Sequence, residues 1–440
     1  MIRVLLIRHG RTAWNVGNGP GQRFRGVVDL PLATEGVAQA QATARRLAAA
    51  PLTAVYSSPL QRAAHTARII AQPHSVKVEV RSGLRTMDYG DWAGKTFAEV
   101  AEQWPDLFAR WRHDPFSVQV PGGESAHLLR ERAVAAVHEI VAAHRDGDTV
   151  AIVSHQAVTK TLVCGLADLA NPAYWRVRQD LCNLSRFDYL SAGGSPVLVG
   201  LNDICHRTQA LPQAVGEGVR IVLVRHGQTA WNAGAGPERF RGRMDLPLDN
   251  VGRQQAHAVA RRLANEPIAD IYASPLLRTQ QTAAPLARAL GLPVQPHRGL
   301  LDIDYGHVQG LTHAEAATAY PELVARWRMS PSQASFPGGE GLIAVQSRLL
   351  RLLDELVTRH PGQTVVLFGH QIVNKVLACT LLDVDLSDRP VRHELDRSLD
   401  RIWRLRQDTT GVSVFQQIGG AWQTLCLNDV CHWGTQRPTV

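Results

Sequence analysis

Apolar residues in this 440-residue chain come in short runs that stop at polar or glycine-rich stretches. Residues 2–7 end in VLLI-R, and a matching run, IVLV-R, ends at residue 225. Four leucine or β-branched residues in a row, bounded by turn residues, fit a strand buried on both faces. Further runs of this kind are TAVYS (53–57), VKVEV (76–80), DTVAIV (148–153) and residues 196–201. Between them the apolar spacing is helical. The pattern predicts helices over 34–50, with Thr34 as cap and Glu35 in the first turn, and over 95–112 and 123–144. It also predicts a helix opening at Ser58-Pro59, with the proline at its first position. Strands alternating with helices predict an α/β fold, a mainly parallel sheet covered by helices on both faces.

The pattern then repeats. RHGRTAWN (8–15) returns as RHGQTAWN (225–232), Arg62 returns as Arg278 and His155 as His370, and the spacing drifts only by single residues. Both halves close alike, Leu201-Asn202-Asp203-Ile204-Cys205-His206 against Leu427-Asn428-Asp429-Val430-Cys431-His432. A repeat this long is a whole domain. The expected organisation is two tandem α/β/α domains, 1–206 and 219–440, joined by a linker at 207–218 that carries Pro212, Gly216 and Gly218.

Composition narrows the partners. Formal net charge is +8, with no basic run of five or more residues and no aromatic-interleaved basic stripe. That favours small anionic molecules over nucleic acid. The six cysteines form no C-x-x-C pair and read as reduced and mostly buried. The chain enters a strand directly after Met1 and shows neither a leader nor a membrane-length apolar run, so the expected location is cytoplasmic, without membrane partners. Oligomeric state has no signature.

Four elements in each half converge on the carboxyl edge of the predicted sheet, where open α/β sheets bind ligands. Arg8-His9-Gly10 and Arg225-His226-Gly227 follow the first strand of each half, with Asn15 and Asn232 close behind as further phosphate contacts. A guanidinium fork matches phosphate oxygens, and glycine lets the backbone approach. Ser58-Pro59-Leu60-Gln61-Arg62 and Ser274-Pro275-Leu276-Leu277-Arg278 add a second arginine beside a helix amino end. Ser154-His155-Gln156 and Gly369-His370-Gln371 add a second histidine past another strand. The loops holding Arg23, Arg25 and Gly26, and Arg239, Arg241 and Gly242, supply charge for a second anionic group of a substrate. No His-x-x-His or carboxylate triad has metal-ligand spacing, so neither a metal nor another cofactor is expected.

The motifs RHGxTxWN, RG..DLPL (25–32 and 241–248), SPLxR, PGGE (121–124 and 337–340) and the strand-borne His resemble the histidine phosphatase superfamily, the phosphoglycerate-mutase-like group, once per half. The HQ.V.K run after the second His is similar to the fructose-2,6-bisphosphatase branch, and tandem halves with a GGSP segment (193–196) are similar to relatives of carboxyarabinitol-phosphate phosphatase. The resemblance implies that His9 and His226 are nucleophiles that become phosphohistidines. It implies that Arg8, Arg62 and His155, and Arg225, Arg278 and His370, hold the phosphoryl oxygens.

One departure matters. Where this family places a glutamate proton donor, the first half has Thr86 (LRTMDYGDWAG) and the second Asp302 (LLDIDYGHVQG), with Asp88 and Asp304 two residues on. The reading is therefore a metal-independent phosphomonoesterase acting on a small phosphorylated metabolite, a sugar or sugar acid. Two alternatives stand beside it: mutase-type phosphoryl transfer, and one half serving only as a phospho-ligand binder. The E-R-H-Y-G segment of dedicated mutases is absent; residues 87–90 read MDYG and residues 303–306 IDYG.

Overall fold

In the computed structural model, strands and helices alternate as the apolar runs do. The structure describes residues 1–15, 22–191, 194–208, 210–214, 216–234, 236–384 and 398–434. Part of the first Gly-rich loop, Gly193 of the GGSP segment and linker positions 209 and 215 lie outside these residues. The chain divides into two compact units, Met1–Thr208 and Gln209–Val440.

The first unit contains strands β1 (Ile2–Arg8), β2 (Leu52–Ser57), β3 (Val78–Val80), β4 (Thr149–Ser154), β5 (Leu184–Tyr189) and β6 (Val197–Asp203). Its helices are α1 (Thr34–Leu47), α2 (Gln61–Ala71), α3 (Phe97–Gln103), α4 (Pro105–His113), α5 (Ala126–Ala142), α6 (Gln156–Leu166) and α7 (Ala173–Arg176). Strand order is β3-β2-β4-β1-β5-β6; the first four are parallel, and β5 and β6 are antiparallel. β4 is buried along its whole length, which its uninterrupted apolar sequence requires. One face of the sheet packs on α1 and α2 through Leu5, Ile7, Leu47, Val55, Ala67 and Ile70. Helices α5 and α6 pack on each other, and α6 on β1.

Three local expectations are corrected. Helix α1 has Ala33, not Thr34, at its cap position, with no side-chain bond there. Helix α2 begins at Gln61, because Ser58-Pro59-Leu60 leaves β2 as an extended turn and the Leu60 amide donates to Ser58 Oγ. The 95–112 stretch is two helices. It breaks at Trp104, because Pro105 cannot continue a helix and pushes its predecessor out of helical geometry. Strand β5 was hidden in the sequence because Arg186 and Asp188 interrupt its apolar pattern; these two pair with each other.

The second unit repeats the plan with β7 (Arg220–Arg225), β8 (Ile268–Ala273), β9 (Val294–Pro296), β10 (Thr364–Gly369), β11 (Val412–Ile418) and β12 (Ala421–Asp429), ordered β9-β8-β10-β7-β11-β12. Its helices are α8 (Asn250–Leu263), α9 (Leu277–Leu290), α10 (His313–Ala319), α11 (Pro321–Met329), α12 (Leu342–Arg359) and α13 (Gln371–Asp383). Both units are thus α/β with a mainly parallel sheet. Among the described residues no helix is long and apolar enough to cross a membrane. Cys164, Cys182, Cys379 and Cys426 are free and buried. Cys205 and Cys431 are disulfide-bonded, which corrects the reading of six reduced thiols.

Candidate active site

The site is built at the carboxyl ends of two adjacent parallel strands. Arg8 of β1 pairs with Ser154 of β4, so His9 and His155 leave the sheet side by side. Their ring centroids are 5.2 Å apart. In the second unit Arg225 pairs with Gly369, and His226 and His370 are 5.3 Å apart. Gly10 is required for this exit: a Cβ there would stand 2.4 Å from the Gly36 carbonyl oxygen at the start of α1. Gly227 meets Gly252 in the same way, at 2.6 Å.

Nδ1 of His9 lies 2.7 Å from the carbonyl oxygen of Gly10, and Nδ1 of His226 lies 2.7 Å from that of Gly227. A carbonyl can only accept, so Nδ1 carries the proton and Nε2 keeps its lone pair. Burial, and then the positive charges of Arg62 and Arg8, hold the His9 pKa well below its ordinary value. Burial, Arg278, Arg225 and Arg241 do the same for His226. Both imidazoles are therefore neutral at pH 7 and able to act as nucleophiles.

The arginines are fixed by backbone. Arg62 Nη1 and Nη2 donate to the carbonyls of Val28 (2.7 Å) and Gly26 (3.0 Å), and Arg278 donates to those of Met244 (2.7 Å) and Gly242 (2.8 Å). This gives the RG..DLPL segment its role: its carbonyls aim a guanidinium. Arg8 Nη1 donates to Gln179 O, and Arg225 Nη1 to Gln407 O. The Nε atoms of Arg8, Arg62 and Arg225 are buried without a protein partner. A buried unpaired donor is unfavourable by roughly 1–3 kcal/mol, more when charged, so this cluster is suited to an anion. Burial, and then Arg25, lower Arg8 to about 9 and Arg62 to about 10. Burial and Arg241 lower Arg225 to about 10, so all three stay charged at pH 7.

The second histidines differ between units. His155 shares a 2.7 Å hydrogen bond between Nε2 and Ser58 Oγ, and its Nδ1 has no partner. His370 Nδ1 accepts from Arg278 Nε at 3.2 Å, and its Nε2 has no partner.

The carboxylates separate the units further. Asp302 Oδ2 lies 3.1 Å from Arg278 Nη2 and 3.6 Å from His370 Nδ1, and Oδ1 accepts from the Ile303 amide. Its pKa is raised, because burial outweighs the pull of Arg278 and Arg241. Thr86 occupies the matching place: Arg132 donates to the Thr86 carbonyl as Arg348 does to that of Asp302. Asp88 and Asp304 accept from the backbone amides of Gly90 and Gly306, and Asp304 also pairs with Arg243 at 3.0 Å.

The remaining candidates divide. Asn15 Oδ1 accepts from Thr12 N and Oγ1, and Asn232 Oδ1 from Thr229 N and Oγ1. Both side-chain oxygens thus brace the loop, while the Asn232 Nδ2 is buried and unpartnered. Arg25 and Arg241 donate to the Trp14 and Trp231 carbonyls and lie close enough to the histidines to lower their pKa values. Arg239 and Arg241 line a pocket beside Asp302, with Glu238, Tyr305, Gln371 and Trp403. Arg23 is half exposed and donates to the Gly94 carbonyl.

Sequence reasoning missed the supports. Arg132 bridges Glu124 of the PGGE motif and the carbonyls of Gly83, Arg85 and Thr86, and Arg348 bridges Glu340 and the carbonyls of Gly299 and Asp302. Their recurrence eight residues after each PGGE glutamate was the available signal. The lysines of the HQ.V.K run are buried. Lys375 Nζ stands 5.0 Å from the Trp403 ring centroid, and burial lowers its pKa to about 8.

Comparison with known proteins agrees with this geometry. The model of the histidine phosphatase superfamily (branch 1) matches residues 4–204 and again 221–430. Phosphoserine phosphatase 1 of Hydrogenobacter thermophilus is 34% identical over 216 residues, 49% of this chain and 95% of that protein. Glucosyl-3-phosphoglycerate phosphatase of Mycolicibacterium vanbaalenii is 36% identical over 179 residues, 39% of this chain and 78% of that one. The 2-carboxy-D-arabinitol-1-phosphatase of Triticum aestivum is similar over both halves, 26% identical across 423 residues, 91% of this chain and 82% of that one. This chain belongs, twice over, to branch 1 of the histidine phosphatase superfamily, and it is a phosphatase.

Proposed function

We propose that the chain is a metal-independent phosphomonoesterase working through a phosphohistidine, and that its substrate is a small phosphorylated sugar or sugar acid. The observation that carries this is the lone pair on His226 Nε2, set by the Nδ1 bond to Gly227, beside Arg225, Arg278 and His370. Nε2 attacks phosphorus while the guanidiniums of Arg225 and Arg278 and the ring of His370 take up charge on the equatorial oxygens. The charge that a cation would supply comes from fixed guanidiniums. Protonated Asp302 hands its proton to the leaving alkoxide, and the resulting carboxylate then draws a proton from the water that attacks the phosphohistidine. In the first unit His9, Arg8, Arg62 and His155 take the corresponding places. Residues 1–206 and 219–440 act as two domains joined by 207–218.

A sugar acid is supported by the second pair of arginines: Arg239 and Arg241 line the pocket beside Asp302, where a second anionic group would meet positive charge. Among similar proteins, those from Triticum aestivum and Mycolicibacterium vanbaalenii are named for a carboxyarabinitol phosphate and a glucosyl-phosphoglycerate.

The test is phosphate release from p-nitrophenyl phosphate and a panel of sugar phosphates by the full chain and by His9→Ala, His226→Ala and the double variant. The double variant is expected to lose turnover and any acid-labile phosphoenzyme. Wild-type turnover by the double variant would end the proposal.

A further inference from the structure

The two units share their cationic groups but differ at two carboxylates. In the second unit Glu238 and Asp302 both line the pocket, Glu238 3.3 Å from Arg241 and Asp302 3.1 Å from Arg278. The matching residues of the first unit are Gln22 and Thr86. Backbone contacts secure the match. Arg23, next to Gln22, donates to the Gly94 carbonyl as Arg239 does to that of Gly310, and Arg132 and Arg348 grip the Thr86 and Asp302 carbonyls alike.

Both substitutions remove negative charge from one place. Among the described residues Arg8, Arg25 and Arg62 hydrogen-bond through their side chains to backbone carbonyls only, those of Gln179, Trp14, Val28 and Gly26, while Asp180 and Asp29 act on Arg8 and Arg62 through space, as Asp408 and Asp245 do on Arg225 and Arg278. Asp88 is turned to the backbone instead, its Oδ1 accepting from the Gly90 amide in a turn. The segment VGNGPG at 16–21, outside the described residues, contains no acid. Among the described residues the first site therefore combines a nucleophile of the right tautomer, His9, and positive charge with Thr86 and Gln22 where the second site has carboxyl groups.

We propose that the first unit is an acyl-phosphate hydrolase, taking phosphoryl groups from mixed carboxylic–phosphoric anhydrides and leaving esters of alcohols to the second unit. This rests on the phosphohistidine reading above. His9 Nε2 bonds to phosphorus as the bond from phosphorus to the acyl oxygen breaks. The carboxylate departs with the electron pair, needs no proton, and is met by the uncompensated Arg25 guanidinium. Water then adds to phosphorus, the P–N pair returns to Nε2, and both water protons stay with the phosphate. An alkoxide leaving group has no such route, since general acid help is worth roughly 10²–10⁴-fold.

The test compares acetyl phosphate with glycerol 3-phosphate in full-length single variants, with uncatalysed hydrolysis subtracted. The acetyl-to-glycerol rate ratio of His226→Ala is expected to exceed that of His9→Ala by roughly 10²-fold or more. Adding Thr86→Asp to His226→Ala is expected to raise glycerol 3-phosphate turnover and close most of that gap. Equal ratios in the two single variants overturn the inference. So does a His226→Ala chain that binds vanadate but does not turn over acetyl phosphate, or a Thr86→Asp chain that binds vanadate with its ratio unchanged. Each of these leaves the phosphohistidine reading standing. That reading falls only if the His9→Ala/His226→Ala chain keeps wild-type turnover.

Discussion

Asp302 Oδ2 sits 3.1 Å from Arg278 Nη2, yet burial still pushes its carboxyl above its ordinary pKa. A carboxyl that keeps its proton to higher pH is a better acid near neutrality. As pH rises through the raised pKa the proton is lost, so the His9→Ala chain is expected to lose turnover of alkyl phosphates on the alkaline side. Asp302→Asn is expected to remove that limb and to lower alkyl-phosphate turnover by roughly 10²–10⁴-fold, with a smaller loss on p-nitrophenyl phosphate. A profile that Asp302→Asn leaves unchanged would assign the proton elsewhere.

Stability has the opposite slope. His9, His155, His226 and His370 all have folded pKa values well below 6.5, chiefly through burial. Below pH 6.5 the unfolded chain binds these protons and the folded one does not, so stability is full above that pH and lost as pH falls through it. Each such proton contributes about 1.4 kcal/mol per pH unit. His206 and His432, lowered to about 4 mainly by burial, act in the same direction, and Asp302 opposes them. The urea midpoint is expected to drop between about pH 7.5 and about pH 5.5, and to drop less in His155→Asn/His370→Asn. Equal pH sensitivity of variant and wild type would show these rings to be protonated in the fold.

Activity is expected to survive chelation. In the proposed mechanism Arg8, Arg62, Arg225 and Arg278 take the role a cation would play around the phosphoryl group. Phosphate release measured with and without EDTA checks this; complete loss restored by Mg²⁺ or Zn²⁺ would contradict it.

Arg348 is a positioning residue, gripping Glu340 and the carbonyls of Gly299 and Asp302. Arg348→Gln is expected to lower kcat on alkyl phosphates about tenfold or more with KM nearly unchanged, because the Asp302 carboxyl loses its aim. Turnover of p-nitrophenyl phosphate, which depends less on that proton, is expected to fall less. Equal losses on both substrates would indicate simple misfolding of the loop.

The strands and the paired histidines were legible because they rest on residue type: VLLI and IVLV can only be buried, and a His-Gly after such a run marks a strand exit. The supports were not, because Arg62, Arg278, Arg132 and Arg348 are held by carbonyls of Gly26, Gly242, Thr86 and Asp302, and any residue offers a carbonyl. The helix starts at Thr34 and Ser58 were misplaced in role for a related reason. A serine or threonine signals a cap, but the chain direction leaving the sheet decides where the first helical turn begins. The asymmetry of His155 and His370 was beyond sequence altogether, since both are His-Gln after a strand and only the neighbouring hydroxyl or guanidinium selects the ring nitrogen.

The 2.7 Å contact from His9 Nδ1 to the carbonyl of its own neighbour Gly10 has a consequence for inheritance. In many enzymes the tautomer of a reactive imidazole is dictated by a distant carboxylate, which one substitution can delete. Here the dictating oxygen belongs to the peptide bond between Gly10 and Arg11, and no change in the side chains around the ring deletes it. The isomer of the proposed phosphohistidine, on Nε2 and not Nδ1, is thereby insulated from drift in the surrounding side chains. Two copies of the site could diverge in acid, pocket and clientele, as Thr86 and Asp302 have, without either losing the regiochemistry of its first bond.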